Sequence, residues 1–419
     1  MTSRTALALP SFRRLWTAGL ISDTGDWLLF IALPLVVFQL TGSALGTSIA
    51  FLLELAPAVL LAPLAARLTA RFDRRRLMVT VNAGQAMALL PLLWVGESGD
   101  LPIAYGVIIV HASLSTLFEP AKNTLLPELV DVERLVSANA LVGLNQNLGR
   151  LIGGPLGGVL LATGGLGLVV AVDAVTYLVS AALIAALPSG RTAPVRRGAR
   201  AEQPAGSRPV GILAALRIRP LRGAYVTILL ASIAQGMFLV LFLLFVLGPL
   251  DGSDADVGLL RGIQAVGALA AGVVLGFLVR GASPRALTAA SLLAFGCLSL
   301  ATWNLPLLTT SVLPYALLFA AVGAPGVVMM AGLMSVLQTH STRPQRGAVF
   351  AAVGLVSAVG QAMGILLGAL SDGPIGLLPL LELQGCLYLL SGVVALRGLP
   401  GNGPSTTPAE PGSAVEDRR

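Results

Sequence analysis

Seven charged residues stand inside long apolar stretches of this 419-residue chain: Asp23, Asp26, Glu54, Arg150, Asp173, Arg261 and Glu382. A charge near a bilayer centre costs about 2.5–3.5 kcal/mol on insertion scales, so such residues persist where they have a use. Asp26, Glu54 and Arg150 lie deepest, each about ten or more residues from the start of its stretch, and with Asp23 are expected to face an internal cavity. Burial favours a neutral carboxyl and a nearby arginine a charged one, and this competition makes a group that takes up and releases protons. A proton crossing a membrane can draw on about 2.3 kcal/mol per 100 mV of potential. The other use for each acid is a fixed ion pair tying helices together; for Asp173, near an expected helix start, it is an acid suited to the helix dipole. Trp27, beside Asp26, either stacks on a flat molecule or packs.

Such chemistry needs elements that hold it in place. The chain is 55% hydrophobic and 11% charged, with a mean hydropathy of +0.85. Soluble domains carry about 25% charged residues, and this chain is too oily to cover one buried core with a polar surface. Its charge collects in short gaps between apolar stretches of roughly 20 residues, the length of a helix that crosses a bilayer. Backbone groups in hydrocarbon must pair within their own segment, and no alternating barrel pattern appears. The expected fold is all-α, with about twelve spans near 15–40, 44–66, 78–96, 102–119, 137–163, 166–188, 223–248, 256–279, 285–304, 308–338, 347–370 and 375–397. The first span is too long for a signal peptide's apolar region and lacks a small-residue cleavage site, so it reads as retained.

Arginines fall in alternate gaps. Arg4, Arg13 and Arg14 precede the first span, ARLTARFDRRRLM at 66–78 follows the second, and eight arginines from Arg191 to Arg222 follow the sixth. Arg280, Arg285, Arg343, Arg346 and Arg397 continue the same side, whereas the opposite gaps, such as TGS at 41–43 and ESGD at 97–100, hold none. Basic short loops mark the cytoplasmic side, so both termini are expected there. The same signal accounts for the net charge of +7 without nucleic-acid binding. Trp94 and Trp303 are expected at the outer boundary and Trp16 at the inner one. Cys297 and Cys386 lie in separate spans and read as packing residues, while His111 and His340 stand alone, so no metal site is expected.

The chain also repeats itself. A slide of 210 or 211 residues sets GRLIGGPLGG from 149 on GQAMGILLGA from 360, pairing Gly149 with Gly360, Gly153 with Gly364 and Gly157 with Gly368. Six spans in each copy imply a parallel repeat about an axis along the membrane normal. Residues 1–188 and 223–399 are the expected six-helix bundles. Residues 189–222, rich in Arg, Pro, Gly and Ala, read as a cytoplasmic linker, and 400–419 as a disordered tail.

FRRLW at 12–16 with GLISDTGDW at 19–27, the arginine-rich loop, FEPAKNTLLPELV at 118–130, SANAL at 137–141, GRLIGGPLGG at 149–158 and VDAVTYLVSA at 172–181 together resemble the major facilitator superfamily. Within it, the similarity is to the drug-proton antiporter branch that includes macrolide and enterobactin exporters. The resemblance implies two bundles around a central cavity, alternating access, and export driven by proton entry. It also implies a gating loop, in which Arg71, Arg74 and Arg75 match the basic part. Ala66 and Ala70 replace the family's glycine and gate aspartate, so the latch is expected to be weaker or rebuilt through Asp73. The bland reading is that this loop only fixes topology. Gly149, Gly153 and Gly157 resemble the antiporter motif, with Pro155 one residue late, and form a stripe for close packing that is expected to serve as a sliding face where the halves meet.

The leading reading is therefore a secondary active exporter of drug-like or siderophore-like amphipathic molecules, with Asp26 and Glu54 as coupling groups. A lipid or lysophospholipid flippase on the same fold is the alternative, and a non-transporting scaffold or sensor the third. A lining rich in Ala, Gly, Leu and Val, with Asn145, Gln146, Asn147, Gln235, Gln264, Gln338 and Gln361 as its polar members, suits an amphipathic compound better than a sugar. No GxxxxGK[ST] loop occurs, which argues against an ATP-driven pump or a membrane kinase. Expected partners are a small molecule, protons and the bilayer; neither cofactor nor nucleic acid is expected, and the chain reads as a monomer. Arginine used almost to the exclusion of lysine points to a GC-rich bacterium and its plasma membrane. Single cysteines at Ser43 and Ser98 should react with an impermeant thiol reagent applied to intact cells, and one at Ser207 should not. The reverse labelling would invert the topology.

Overall fold

A computed structural model describes residues 6–187, 211–278, 282–342 and 344–400. Most of the expected linker, the tail from 401, Ser207, and the arginines at 4, 191–208, 280 and 343 lie outside the described residues. The elements are α1 (Pro10–Thr41), α2 (Ala44–Leu60), α3 (Ala62–Arg71), α4 (Arg74–Leu89), α5 (Leu101–Leu129), α6 (Leu135–Ala185), the short α7 (Ile212–Leu216), α8 (Arg222–Leu247), α9 (Asp254–Leu278), α10 (Pro284–Asn304), α11 (Val312–Thr339), α12 (Arg346–Gly368) and α13 (Leu377–Gly398). Their ends carry local signals. Pro10 opens α1, and Gly42 closes it with a positive φ of 59°. The Ser43 side chain then accepts from the Leu45 amide to start α2.

Ten of these segments are long and apolar enough to cross a bilayer, and α2 with α3 forms one further span bent by 52°. Pro57 and Pro63 flank that bend, where a missing amide and a ring clash interrupt the helical ladder. The segment α6 is two spans. A straight helix of 51 residues would run about 76 Å at about 1.5 Å per residue, more than twice the roughly 30 Å hydrocarbon core. Gly165, at φ 64° and ψ −170°, turns it back. Arg14 therefore donates to the Ala186 carbonyl (2.8 Å) while Trp16 donates to that of Leu141 (2.9 Å), so neighbouring residues of α1 reach both ends of the hairpin. Counted this way, the described residues make twelve crossings.

The repeat is visible in packing. A side chain at Gly149 would meet the Asp23 backbone at 2.8 Å, and one at Gly157 the Leu28 carbonyl oxygen at 2.6 Å, so α6 lies directly against α1. In the second half Gly360 meets Ser232 at 2.8 Å and Gly368 meets Val240 at 2.9 Å, and α12 lies against α8 in the same way. This corrects the role expected of Gly149, Gly153 and Gly157: they seat α6 on α1 inside the first half. The halves meet through the next positions. A side chain at Gly154 would meet Gly258 and Gly262 of α9, each at 3.1 Å, and one at Gly158 would press on Asp254 and Ala255. Successive helical residues point about 100° apart, so adjacent glycines serve different neighbours.

The cores show how the halves join. One hydrophobic cluster combines residues 28–37 of α1 with 237–250 of the second half, on the ends where arginine is scarce. Two others, around Phe12, Met78 and Ile184 and around Leu221, Val336 and Val349, each stay within one half at the arginine-rich ends. Hydrogen bonds join the halves on the arginine-poor side, from Gln39 to Asp254 (2.8 Å), from Ser43 to Asp372 (3.0 Å) and from Ser48 to the Ile365 carbonyl (3.1 Å).

Trp94 is 72% exposed at the end of its helical segment, and Trp303, next to last in α10, is buried, donates to Gln384 (3.0 Å) and meets Phe245 edge-on (4.8 Å). One expectation fails here: Cys297 and Cys386 are exposed rather than packed. Gly153 sits where a Cβ would strike the Trp27 Cβ at 2.9 Å, whereas Gly143 faces open space. Gly153→Val should therefore cost at least about 1–3 kcal/mol, the price of overpacking, and Gly143→Ala should be near neutral in thermal unfolding. Equal melting temperatures for the two variants would contradict the seam.

Candidate functional site

The seam sets the register of α1, and the site follows from it. Asp26 and Glu54, on α1 and α2, both line a cavity of about 460 Å³ with Trp27, Phe30, Ala58 and, from α5, His111, Ala112, Ser115, Thr116 and Glu119. A second void of about 30 Å³, the size of a water molecule, lies between Asp26, Glu54 and His111. Asp26 and Glu54 thus line the same cavity, built from the first half. The polar residues expected to line it are elsewhere. Asn145 donates to the Trp16 carbonyl (2.9 Å), Gln235 accepts from Tyr388 (3.1 Å), and none of the seven lines either of these two voids.

Asp26 is the centre of a hydrogen-bonded chain. Tyr177, wholly buried on the second arm of α6, donates to its Oδ1. His111 Nε2 stands 2.6 Å from that Tyr177 hydroxyl and 4.0 Å from Asp26 Oδ1. Gln85 on α4 follows, at 3.3 Å from His111 and donating to Ser115 at 2.9 Å. Three elements thus present a carboxylate, a phenol and an imidazole in sequence, the groups from which a proton path is built. Glu119 sits at the cavity edge, held by Lys122 one helical turn on, and Lys122 is buried beside the Phe118 ring (5.7 Å).

The other expected site residues are distributed differently. Asp23 is 7% exposed in the α1–α6 seam, off the cavity lining, with Oδ2 unpartnered. Asp173 is fully buried two turns into its arm rather than at a helix start, and accepts from Thr176 (3.0 Å). Arg150 caps the Trp27 ring at 5.6 Å instead of lining the cavity. Glu382 is exposed on α13.

In the loop, Asp73 accepts from the Arg76 amide (2.8 Å) as the N-cap of α4. Arg74 pairs with Glu128 of α5, and Arg75 donates to the Ala185 carbonyl. Those contacts stay inside the first half. Arg71 ends α3, and Ala66 and Ala70 are exposed on it. Glu128 is reached because α5 continues ten residues past the expected end at 119, through Pro120 and Pro127, to Leu129.

Sequence reading missed His111, which looked isolated, and Tyr177. The only signal for the tyrosine was its place in VDAVTYLVSA; its separation of 151 positions from Asp26 hid the pair.

Known proteins can now be compared. The family profile described as Major Facilitator Superfamily matches residues 15–406. The chain belongs to that superfamily. This facilitator is 23% identical over 394 residues to macrolide efflux protein A of Streptococcus pyogenes, covering 91% of this chain and 94% of that protein. It is 32% identical over 169 residues to the MFS-type transporter YfiS of Bacillus subtilis, an alignment spanning 40% of each. It is 30% identical over 167 residues to the multidrug efflux pump Tap of Mycobacterium tuberculosis, spanning 37% of this chain and 39% of the pump. Among solved structures, a bacterial homologue of the iron transporter ferroportin in an inward-facing state superposes with a TM-score of 0.73 at 16% identity, covering 93% of this chain and 98% of that one. The peptide-family transporter PepTSo gives 0.70 at 11% identity, covering 92% and 97%. The facilitator is thus an all-α membrane transporter of two six-helix bundles, and not an enzyme.

Tyr177→Phe removes the donor to Asp26 and leaves His111 without its phenolic neighbour. It should lower stability by about 1.5–3 kcal/mol, the worth of a hydrogen bond to a charged group, in thermal unfolding of the detergent-solubilised protein. No loss would mean the tyrosine hydroxyl contributes nothing to the site.

Proposed function

We propose that this facilitator is a proton-driven exporter of amphipathic small molecules, working by alternating access as a monomer in a bacterial plasma membrane with both termini cytoplasmic. The observation that carries the proposal is Asp26, a mid-span carboxylate that faces the cavity while held by Tyr177 beside His111. A carboxyl so placed is open to cargo and proton at once, and occupancy by one disfavours the other. Glu54, across the water-sized void, is the second coupling group.

The direction follows from charge. The halves are joined on the arginine-poor side, and the positive-inside rule assigns the arginine-rich side to the cytoplasm, so the unjoined ends face the compartment from which an exporter loads. Full-length similarity to a macrolide efflux protein supports the same direction. A lining of Trp27, Phe30 and Ala58 beside Ser115 and Thr116 supports a cargo with an apolar body and few polar groups. Residues 1–188 and 223–399 would rock about the Gly154–Gly258 junction, with 189–222 as the tether.

Asp26→Asn keeps an oxygen that can accept from Tyr177 and removes the titrating proton. Folding and cargo binding should survive, energy-independent exchange should persist, and proton-driven accumulation in inverted vesicles should collapse. Were Asp26 half of a structural ion pair, the variant would instead lose roughly 3–5 kcal/mol of stability. A well-folded Asp26→Asn protein that still concentrates dye against a gradient would end the coupling role.

A further inference from the structure

Two cations meet at one ring where the halves touch. Arg150 of α6 lies 5.6 Å from the Trp27 ring centre and Arg261 of α9 lies 5.9 Å from it. Neither belongs to an ion pair among the described residues. Their hydrogen bonds are long: Arg150 reaches Asn147 at 3.4 Å, and Arg261 reaches Gln264 at 3.3 Å. Arg150 Nε and Gln264 Nε2 have no partner, although Gln264 is 5% exposed and Arg261 7%. A buried cation is normally paired, because desolvating it alone is costly. The aromatic contacts meet part of that need: Phe238 lies 4.8 Å and Phe30 5.8 Å from the Arg261 guanidinium carbon. Rings of this kind satisfy the cation's charge but accept few of a guanidinium's five N–H groups. What remains is a cluster of donors, two guanidinium groups and one carboxamide, short of acceptors.

We propose that Arg150, Arg261 and Gln264 form a subsite for the anionic group, a carboxylate or phosphate, of an amphipathic cargo whose apolar body lies against Trp27 and Phe30 in the adjoining cavity. The inference rests on the export reading and gives its cargo a charge. Guanidinium groups suit these oxyanions because they present paired donors in a plane, and arginine stays charged whatever the state of the nearby carboxyls. Because one arginine comes from each half, an anion bound here is held by both. It would sit beside the junction where those helices already touch, at Gly154, Gly258 and Gly262. The anion has two candidate sources: a soluble organic acid or a lysolipid with a phosphate headgroup.

The test uses the purified full chain in an uncharged detergent and three probes of one shape: naphthalene-2-carboxylate, its neutral amide and 2-naphthylmethylammonium. Equilibrium dialysis, corrected for micelle uptake, should show the carboxylate binding at least about tenfold more tightly than the amide, with the ammonium weakest. Arg261→Gln and Arg150→Gln should each lose that preference, and Arg261→Lys should keep part of it. Displacement by lysophosphatidate at lower concentration than by the free carboxylate would name the lipid source, and the reverse order the soluble one. Equal binding of carboxylate and amide to the unmodified chain, or undiminished carboxylate binding in both Gln variants, would overturn the subsite. Binding is read without a gradient, so the two readings fail separately. A protein that binds the anion but moves no compound ends the export reading alone, and one that exports cationic dyes while ignoring the carboxylate ends this one alone.

Discussion

Backbone-to-backbone contact between α1 and α6 is the constraint on which the rest of this molecule depends. In lipid no hydrophobic force drives one helix against another, since acyl chains solvate leucine as well as leucine does, and association rests on close packing. Gly149, Gly153 and Gly157 let α6 touch the α1 backbone along two turns. On the other side Gly25 leaves no room for a side chain beside those of Asp173 and Thr176, so the second arm of the hairpin packs on α1 through its side chains. With α1 held between the arms, Asp26 falls opposite Tyr177 and Trp27 falls under Arg150. A larger residue in the seam would change the distances on which both contacts rest.

The two halves share packing and differ in chemistry. Gly360, Gly364 and Gly368 repeat the seam, but Gly236 and Gln264 stand at the positions matching Asp26 and Glu54. Carboxyl groups therefore line the cavity from the first half, while Arg261 of the second half reaches the Trp27 ring beside it. An asymmetric charge distribution on a symmetric frame separates two tasks that a fully duplicated site would merge. The carboxyl groups stand in one bundle, and arginines from both stand at the junction between them.

Much of the frame was legible because its signals are local. Apolar length, arginine alternation and a 210-residue offset placed most spans within a few residues, α5 being the exception at its far end, and Gly165 turns the chain where GG at 164–165 was read as a gap. The site was legible only in part. Depth alone pointed to Asp26 and Glu54, since an ionisable group in hydrocarbon advertises itself. His111 and Tyr177 carry no such signal, because a polar residue that can be neutral is tolerated in a span for many reasons. The glycine stripe was assigned to the wrong neighbour for a geometric reason: 149 and 154 differ by five residues, which on a helix is enough to face another partner.

The hairpin at Gly165 bears on how the molecule is made. With only a two-residue gap between its arms, the pair has almost nothing to place beyond the far face of the bilayer, so the arms are most simply inserted together as one unit. Until that unit arrives, α1 waits in the lipid with Asp23 and Asp26 uncovered and with its eventual hydroxyl partner still to be synthesised. Early in its biogenesis the chain is therefore at its most dependent on whatever shields a half-built first span.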